Sequence, residues 1–186
     1  CDEAYKAELD SDGYKLSSAN SINWGRLVPQ IVYYFSAYAD MLKANEIKLG
    51  DSVNVVVPTG NFGNILAAYY AKKMGLPIAK LICASNSNNV LTDFINTGVY
   101  NKKREFHTTI SPSMDILISS NLERFLYDIS GRDDKLIASL MKKLNDDGEY
   151  AVDSNMKSII SELFYGGYCD DVHTRDTIKK CMDESG

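Results

Sequence analysis

The chain has 186 residues, of which 45% are hydrophobic and 24% charged, enough to bury the core of one compact α/β domain with a helical appendage. A net charge of −5 and a sequence pI near 5.0 exclude a counterion-releasing nucleic-acid surface. The only basic run, Lys102-Lys103-Arg104, reads as a solvated loop or strand edge. No stretch of about 18 apolar residues and no secretory leader is visible, so neither a membrane nor nucleic acid is expected as a partner.

Residues 1–18 are polar, with Asp10-Ser11-Asp12-Gly13 as a turn cluster, and predict a short helical or loose entry. Hydroxyls, amides and one guanidinium follow in Ser18-Ala19-Asn20-Ser21-Ile22-Asn23-Trp24-Gly25-Arg26. Leu27, Val28, Ile31, Phe35, Tyr38, Ala39 and Leu42 then recur at spacings of three and four, which predicts a helix over about 24–45. Pro29 is tolerable near its start.

Gly50 and Asp51 turn the chain into the β-branched run Val53 to Val57, predicted as a strand. After it come Pro58-Thr59-Gly60-Asn61-Phe62-Gly63-Asn64 and an amphipathic helix from Ile65 to Met74, closed by Gly75 and Pro77. A second strand over 78–84 completes a βαβ unit, whose right-handed crossover makes the two strands parallel. Gly60 to Asn64 and Ser85-Asn86-Ser87-Asn88-Asn89 thereby fall at the carboxyl ends of neighbouring strands, the edge where ligands gather.

A glycine-rich turn between strand and helix lets backbone approach a ligand closely and presents helix amides without intrahelical acceptors, as an anion requires. The same turn serves in other domains only to reverse the chain, and spacing alone leaves both readings open. Gly63 is followed by Asn64, not by the Lys-Ser/Thr of a Walker loop, and Gly60 and Gly63 do not match G-x-G-x-x-G. A phosphate held without a dinucleotide is what remains.

Further along, Val90 to Thr97 reads as a short helix closed by Gly98, and Glu105 to Ile110 as a strand. The joint Ser111-Pro112-Ser113-Met114-Asp115 is expected to open a helix to about Asp128. From Asp133 the pattern is helical, with Leu136, Ile137, Leu140, Met141 and Leu144 on one face up to Gly148, then helices at about 155–165 and 174–184. The organisation expected is an α/β core over 1–130 and a helical segment over 131–186.

Arg26 is the most interesting single charge, since an arginine grouped with Ser21 and Asn23 at a helix start can clamp a phosphate or carboxylate. An ordinary Ser/Asn cap beside a solvent-facing arginine is the alternative. His107 and His173 lack a nucleophile or carboxylate partner in a motif, and the pairs Asp133-Asp134 and Asp146-Asp147 read as caps and solubility charges. Cys1, Cys83, Cys169 and Cys181 show no CxxC pairing, so zinc is not expected; Cys83, inside an apolar run, reads as a buried thiol of a reduced cytoplasmic protein.

Taken together, the Ser18 to Leu27 run, the Pro58 to Asn64 run about 30 residues later, Gly75-Leu76-Pro77, Ala84-Ser85-Asn86 and Ser111-Pro112-Ser113-Met114-Asp115-Ile116 closely resemble threonine synthase over nearly the whole chain. The resemblance implies the parallel-sheet, three-layer fold type II of pyridoxal-phosphate enzymes (tryptophan-synthase-β-like), converting O-phosphohomoserine and water to threonine and phosphate. It implies that Gly60, Asn61, Phe62, Gly63 and Asn64 hold the phosphate of pyridoxal 5'-phosphate, and that Ser21, Asn23 and Arg26 face the substrate. In the same family the lysine that carries the cofactor stands in a Phe-Lys-Asp type motif well before the Ser-Asn-Ser-Ile-Asn run, and no Phe-Lys-Asp occurs here. Lys72, Lys73 and Lys80 read as surface or structural lysines. Residue 1 is Cys and the chain stops inside a helical pattern, so a central piece of a longer enzyme, inactive by itself, is expected. A serine/threonine dehydratase of the same fold and a non-catalytic phospho-ligand module are the competing readings.

Overall fold

A computed structural model describes residues 11–14 and 22–185. Helix α1 spans Trp24–Lys43 and begins where the Asn23 side chain accepts a hydrogen bond from the Gly25 amide at 2.9 Å, the expected N-cap chemistry. Leu27 and Tyr38 turn inward, whereas Val28 and Phe35 of the expected apolar face remain 38% and 36% exposed, beside the exposed Val32 and Tyr33.

The βαβ unit forms as the sequence predicts. Strand β1 (Val53–Pro58), helix α2 (Gly63–Lys73) and strand β2 (Ile78–Ser85) give a parallel pair running from Val53 opposite Ile78 to Pro58 opposite Ala84. Helix α3 (Val90–Thr97) ends at Gly98, whose φ of +79° supplies the left-handed C-cap. Short strands β3 (Val99–Asn101) and β4 (Glu149–Ala151) pair antiparallel and stack Tyr100 on Tyr150 at 5.3 Å.

One predicted element is absent and a second forms only in part. Residues 105–110 form no strand, because side chains take the backbone groups a ladder would have taken: Asn88 Oδ1 accepts from the His107 amide at 2.9 Å and its Nδ2 donates to the His107 carbonyl at 2.8 Å. The helix expected from Ser111 to Asp128 is also interrupted. A 3₁₀ turn covers Pro112–Met114, and helix α4 begins only at Leu122 and runs to Ile129. Between them the Tyr100 hydroxyl accepts from the Ser119 amide and donates to the Leu117 carbonyl, holding that stretch open.

Helix α5 (Asp134–Asp146) is capped by Asp133, which accepts from the Leu136 amide at 2.9 Å, and buries Ile137, Leu140 and Leu144. Helix α6 (Ser154–Leu163) stops short of residue 165, because Phe164–Tyr168 forms strand β5. That strand pairs parallel with β2, Leu81 opposite Phe164 and Ser85 opposite Tyr168, giving the order β1-β2-β5. The segment 131–186 therefore contributes to the central sheet as well as supplying helices. Helix α7 (Asp171–Ser185) follows and buries nothing.

The core gathers on α2, β2, α3 and α4. Phe125 is buried and makes ring contacts with Tyr69, Phe62 and Phe164 at 5.1, 6.0 and 5.0 Å. Cys83 is buried in β2, and burial pushes its thiol up to about 11 despite hydrogen bonding to Thr59 and Ser85. No helix among the described residues is long and apolar enough to cross a membrane. Truncating Phe125 to Ala removes three ring contacts at once, and equilibrium urea unfolding is expected to show a loss of about 3–5 kcal/mol.

Candidate functional site

The loop after β1 is held from several sides. The Thr59 amide donates to the Ala84 carbonyl at 2.8 Å, which extends the parallel pairing one residue past the strand, while the Thr59 hydroxyl returns to Val57 O at 2.6 Å. Gly60 presses against the turn at Pro112–Met114, where a Cβ would stand 2.6 Å from the Ser113 carbonyl oxygen. Only glycine fits that approach. Phe62 adopts φ +63°, a left-handed conformation unfavourable for a bulky residue, with its ring 2% exposed and packed on Phe125 and Phe164.

Phe62 is also the N-cap of α2, which offers no side-chain cap and carries no acidic residue in its first turn. The first amides of such a helix lack intrahelical acceptors and sit at its positive end. They open into a cleft of about 240 Å³ lined by Arg26 and Gln30 of α1, by Pro58 to Asn64, and by Ser113. Backbone donors, a helix dipole and a guanidinium surround one small polar space, an arrangement suited to a phosphate or carboxylate.

Of the residues the sequence singled out, Gly60, Asn61, Phe62, Gly63, Asn64 and Arg26 line this cleft together. Asn23 does not line it, its side-chain oxygen being engaged in capping α1, and Ser21 lies outside the described residues. Lys72, Lys73 and Lys80 are held elsewhere: Lys72 by the Ile78 carbonyl, Lys73 by Asp128 at 2.6 Å, and Lys80 by the carbonyls of Ser161 and Glu162. Asp170 accepts from the His173 backbone amide at 2.8 Å and contacts its ring Nδ1 at 2.7 Å, in an exposed cap at the start of α7. Among the described residues no group of His, Cys, Asp or Glu is placed to hold a metal ion.

Sequence reasoning passed over several residues that hold the site. The Tyr34 hydroxyl donates to the Asn64 side-chain oxygen and reaches the Asn64 carbonyl at 3.0 Å, tying α1 to the start of α2; burial pushes this phenol up to about 12. Asp115 gathers the neighbouring loops. It accepts from the Thr109 amide and hydroxyl at 3.0 and 2.7 Å, from Asn86 at 2.6 Å and from Asn88 at 3.0 Å. Asp115 directly follows the turn that carries Ser113, so this hub backs the wall of the cleft. Nothing in the local pattern of a helical tyrosine or a loop aspartate announces such long-range partners, although Asn86, Ser113 and Asp115 all fall within runs that stand out as polar.

The geometry defines an α/β protein whose parallel sheet presents an anion-receptive cleft at its carboxyl edge. No protein-family model matches the chain. It is 47% identical over 175 residues to human Threonine synthase-like 1, an alignment that takes in 94% of this chain and 24% of that protein. The solved structure of yeast threonine synthase superposes with a TM-score of 0.84 at 37% identity, covering 97% of this chain and 37% of the yeast chain. The pyridoxal-phosphate-bound threonine synthase of Brucella melitensis superposes with a TM-score of 0.81 at 41% identity, covering 90% of this chain and 35% of that one. The chain is a homologue of the threonine synthases, and it spans between about a quarter and two fifths of the length of these relatives.

Two outcomes test this geometry. Gly60→Ala forces the loop and the Ser113 turn apart, and chemical denaturation is expected to show a loss of about 1–3 kcal/mol; an unchanged midpoint contradicts the close approach. Burial raises the Asp115 carboxyl but the hydrogen bonds from Thr109, Asn86 and Asn88 outweigh it, leaving the group below its ordinary value. Its stabilising contribution is present above the unfolded-state value of about 3.9 and is lost as pH falls through the lower folded value. The Thr109 amide resonance should accordingly titrate with a midpoint below about 3.9.

Proposed function

We propose that the complete protein is a threonine synthase that converts O-phosphohomoserine and water to threonine and phosphate by γ-elimination and β-addition, with pyridoxal 5'-phosphate as cofactor. The observation that carries this reading is the shared cleft, which sets the glycine loop at the α2 N-terminus opposite Arg26. Homology to threonine synthases and likeness to a pyridoxal-phosphate-bound one support the choice of cofactor.

The residues present fit a cofactor phosphate. The absent Cβ of Gly60, the left-handed Phe62 and the uncapped first turn of α2 leave a backbone-lined cradle, and Gly60, Asn61, Phe62, Gly63 and Asn64 are the residues that would hold the phosphate. When bound, the cofactor supplies an electron sink for carbanion chemistry at the substrate amino acid. Arg26 presents a permanently charged fork for the substrate phosphate, with Ser21 in the same segment, while Asn23 caps the helix that carries Arg26. The phosphate that leaves the substrate departs as an anion, and a guanidinium stabilises charge developing on that leaving group.

The proton-handling lysine is assigned to another part of the complete protein on the ground that no Phe-Lys-Asp motif occurs in this chain, and on this reading the chain by itself is inactive. Free Cys83, Cys169 and Cys181 support a reducing, cytoplasmic setting. Steady-state assays of the complete protein with O-phosphohomoserine and with threonine test the reaction: phosphate release and threonine formation from the first are expected, and turnover of threonine alone overturns the reading. In the same assay Arg26→Ala should weaken the phosphorylated substrate by about 1.5–3 kcal/mol, much more than it weakens the cofactor.

A further inference from the structure

We propose that Asn121 and Arg124 are positioning residues that lock the cofactor-phosphate loop and the substrate-facing segment into one frame. This rests on the function proposed above. Asn121 is 0% exposed and caps α4. Its backbone amide and its side-chain Nδ2 both donate to the Asn61 carbonyl, at 3.2 and 3.0 Å. Two donors on one oxygen draw that carbonyl toward α4, so its partial negative charge is engaged away from an anion held by the loop's amides.

Arg124 lies one helical turn further on and carries the restraint across the site. Its Nη1 donates to Asn121 Oδ1 at 2.8 Å and its Nη2 donates to the Ile22 carbonyl, while its guanidinium carbon stands 6.0 Å from the centroid of the Trp24 ring. Ile22 and Trp24 flank Asn23, and Arg26 follows in the first turn of α1. One planar fork thus touches both sides: through Asn121 it reaches the loop that would hold the cofactor phosphate, and through Ile22 it reaches the segment that would hold the substrate phosphate. A lysine keeps the charge but cannot hold two directed bonds in that geometry. Neither Asn121 nor Arg124 lines the cleft, so each acts through the residues it fixes.

The test uses the complete protein with Arg124→Lys and Asn121→Ala, three readouts and thermal melts. Cofactor affinity is read by fluorescence titration of the cofactor-free protein with pyridoxal phosphate, anion affinity by calorimetric titration with inorganic phosphate, and kcat and KM with O-phosphohomoserine. Misplacing a binding group by about 1 Å costs up to about 100-fold, so Arg124→Lys is expected to raise the KM about tenfold or more and to weaken inorganic phosphate in parallel. Its cofactor affinity should fall less than its substrate affinity, because Asn121 keeps its own two bonds to the Asn61 carbonyl, whereas Asn121→Ala should weaken the cofactor itself about tenfold or more. A KM unchanged in Arg124→Lys overturns the proposal, as does an equal loss of cofactor and substrate accompanied by a lowered melting point, which is what a merely structural contact produces. Arg26→Ala run alongside separates the levels. A raised KM there with an unchanged one in Arg124→Lys overturns the coupling alone, and unchanged values in both overturn the site reading with it.

Discussion

The cleft depends on one aromatic ring. Phe62 occupies a left-handed backbone conformation that costs about 1–3 kcal/mol for a residue of its size. Its side chain offsets that cost by sitting between Phe125 of α4 and Phe164 of β5, out of water. Because Phe62 is the residue from which α2 departs, the ring contacts also set where the helix's first amides point. Local strain and tertiary packing are thus two descriptions of one choice: the loop bends unfavourably so that its donors converge.

Around that ring the loops are held by side chains in place of ladders. Asn88 pairs with the backbone of His107, Asp115 collects donors from Thr109, Asn86 and Asn88, and Asn121 grips the Asn61 carbonyl with two donors. Amide and carboxylate side chains can satisfy irregular backbone at any angle, which a strand partner cannot. The result is a carboxyl edge without regular structure in which backbone groups of Asn61, His107 and Thr109 are nonetheless paired by side chains, suiting a surface that must present amides to a ligand.

How much of this could be read from the sequence follows from the range of the interactions. The βαβ unit, its glycine loop, and the helix closed by Gly98 are written in local periodicity and turn residues, and they appear as expected. Strand β5 was hidden because the helical pattern extends to about 165 and Gly166-Gly167 interrupts any alternation a strand would show. Gly166 allows close packing, since a Cβ there would stand 3.1 Å from the Cα and carbonyl oxygen of Thr92 and press the neighbouring helix. The interrupted helix before α4 was misread for a similar reason, since the partners of Asp115 and Asn121 lie far away in sequence and leave no periodic trace. Arg26 and the loop could be singled out because their residue types carry chemistry, and the structure sets both against one cleft. Tyr34 and Arg124 were not, because each matters only through what it touches.

The dependence of Phe62 on Phe164 also has a bearing on how the molecule is made. Strand β5 joins β2 across about 80 intervening residues, a long-range pairing that forms slowly relative to local structure. The glycine loop is translated about 100 residues before Phe164, which supplies one wall of its anchoring pocket. A ribosome that has released everything up to α6 holds a chain whose phosphate loop can meet Phe125 and the Ser113 turn but lacks one anchoring ring until Phe164 has emerged.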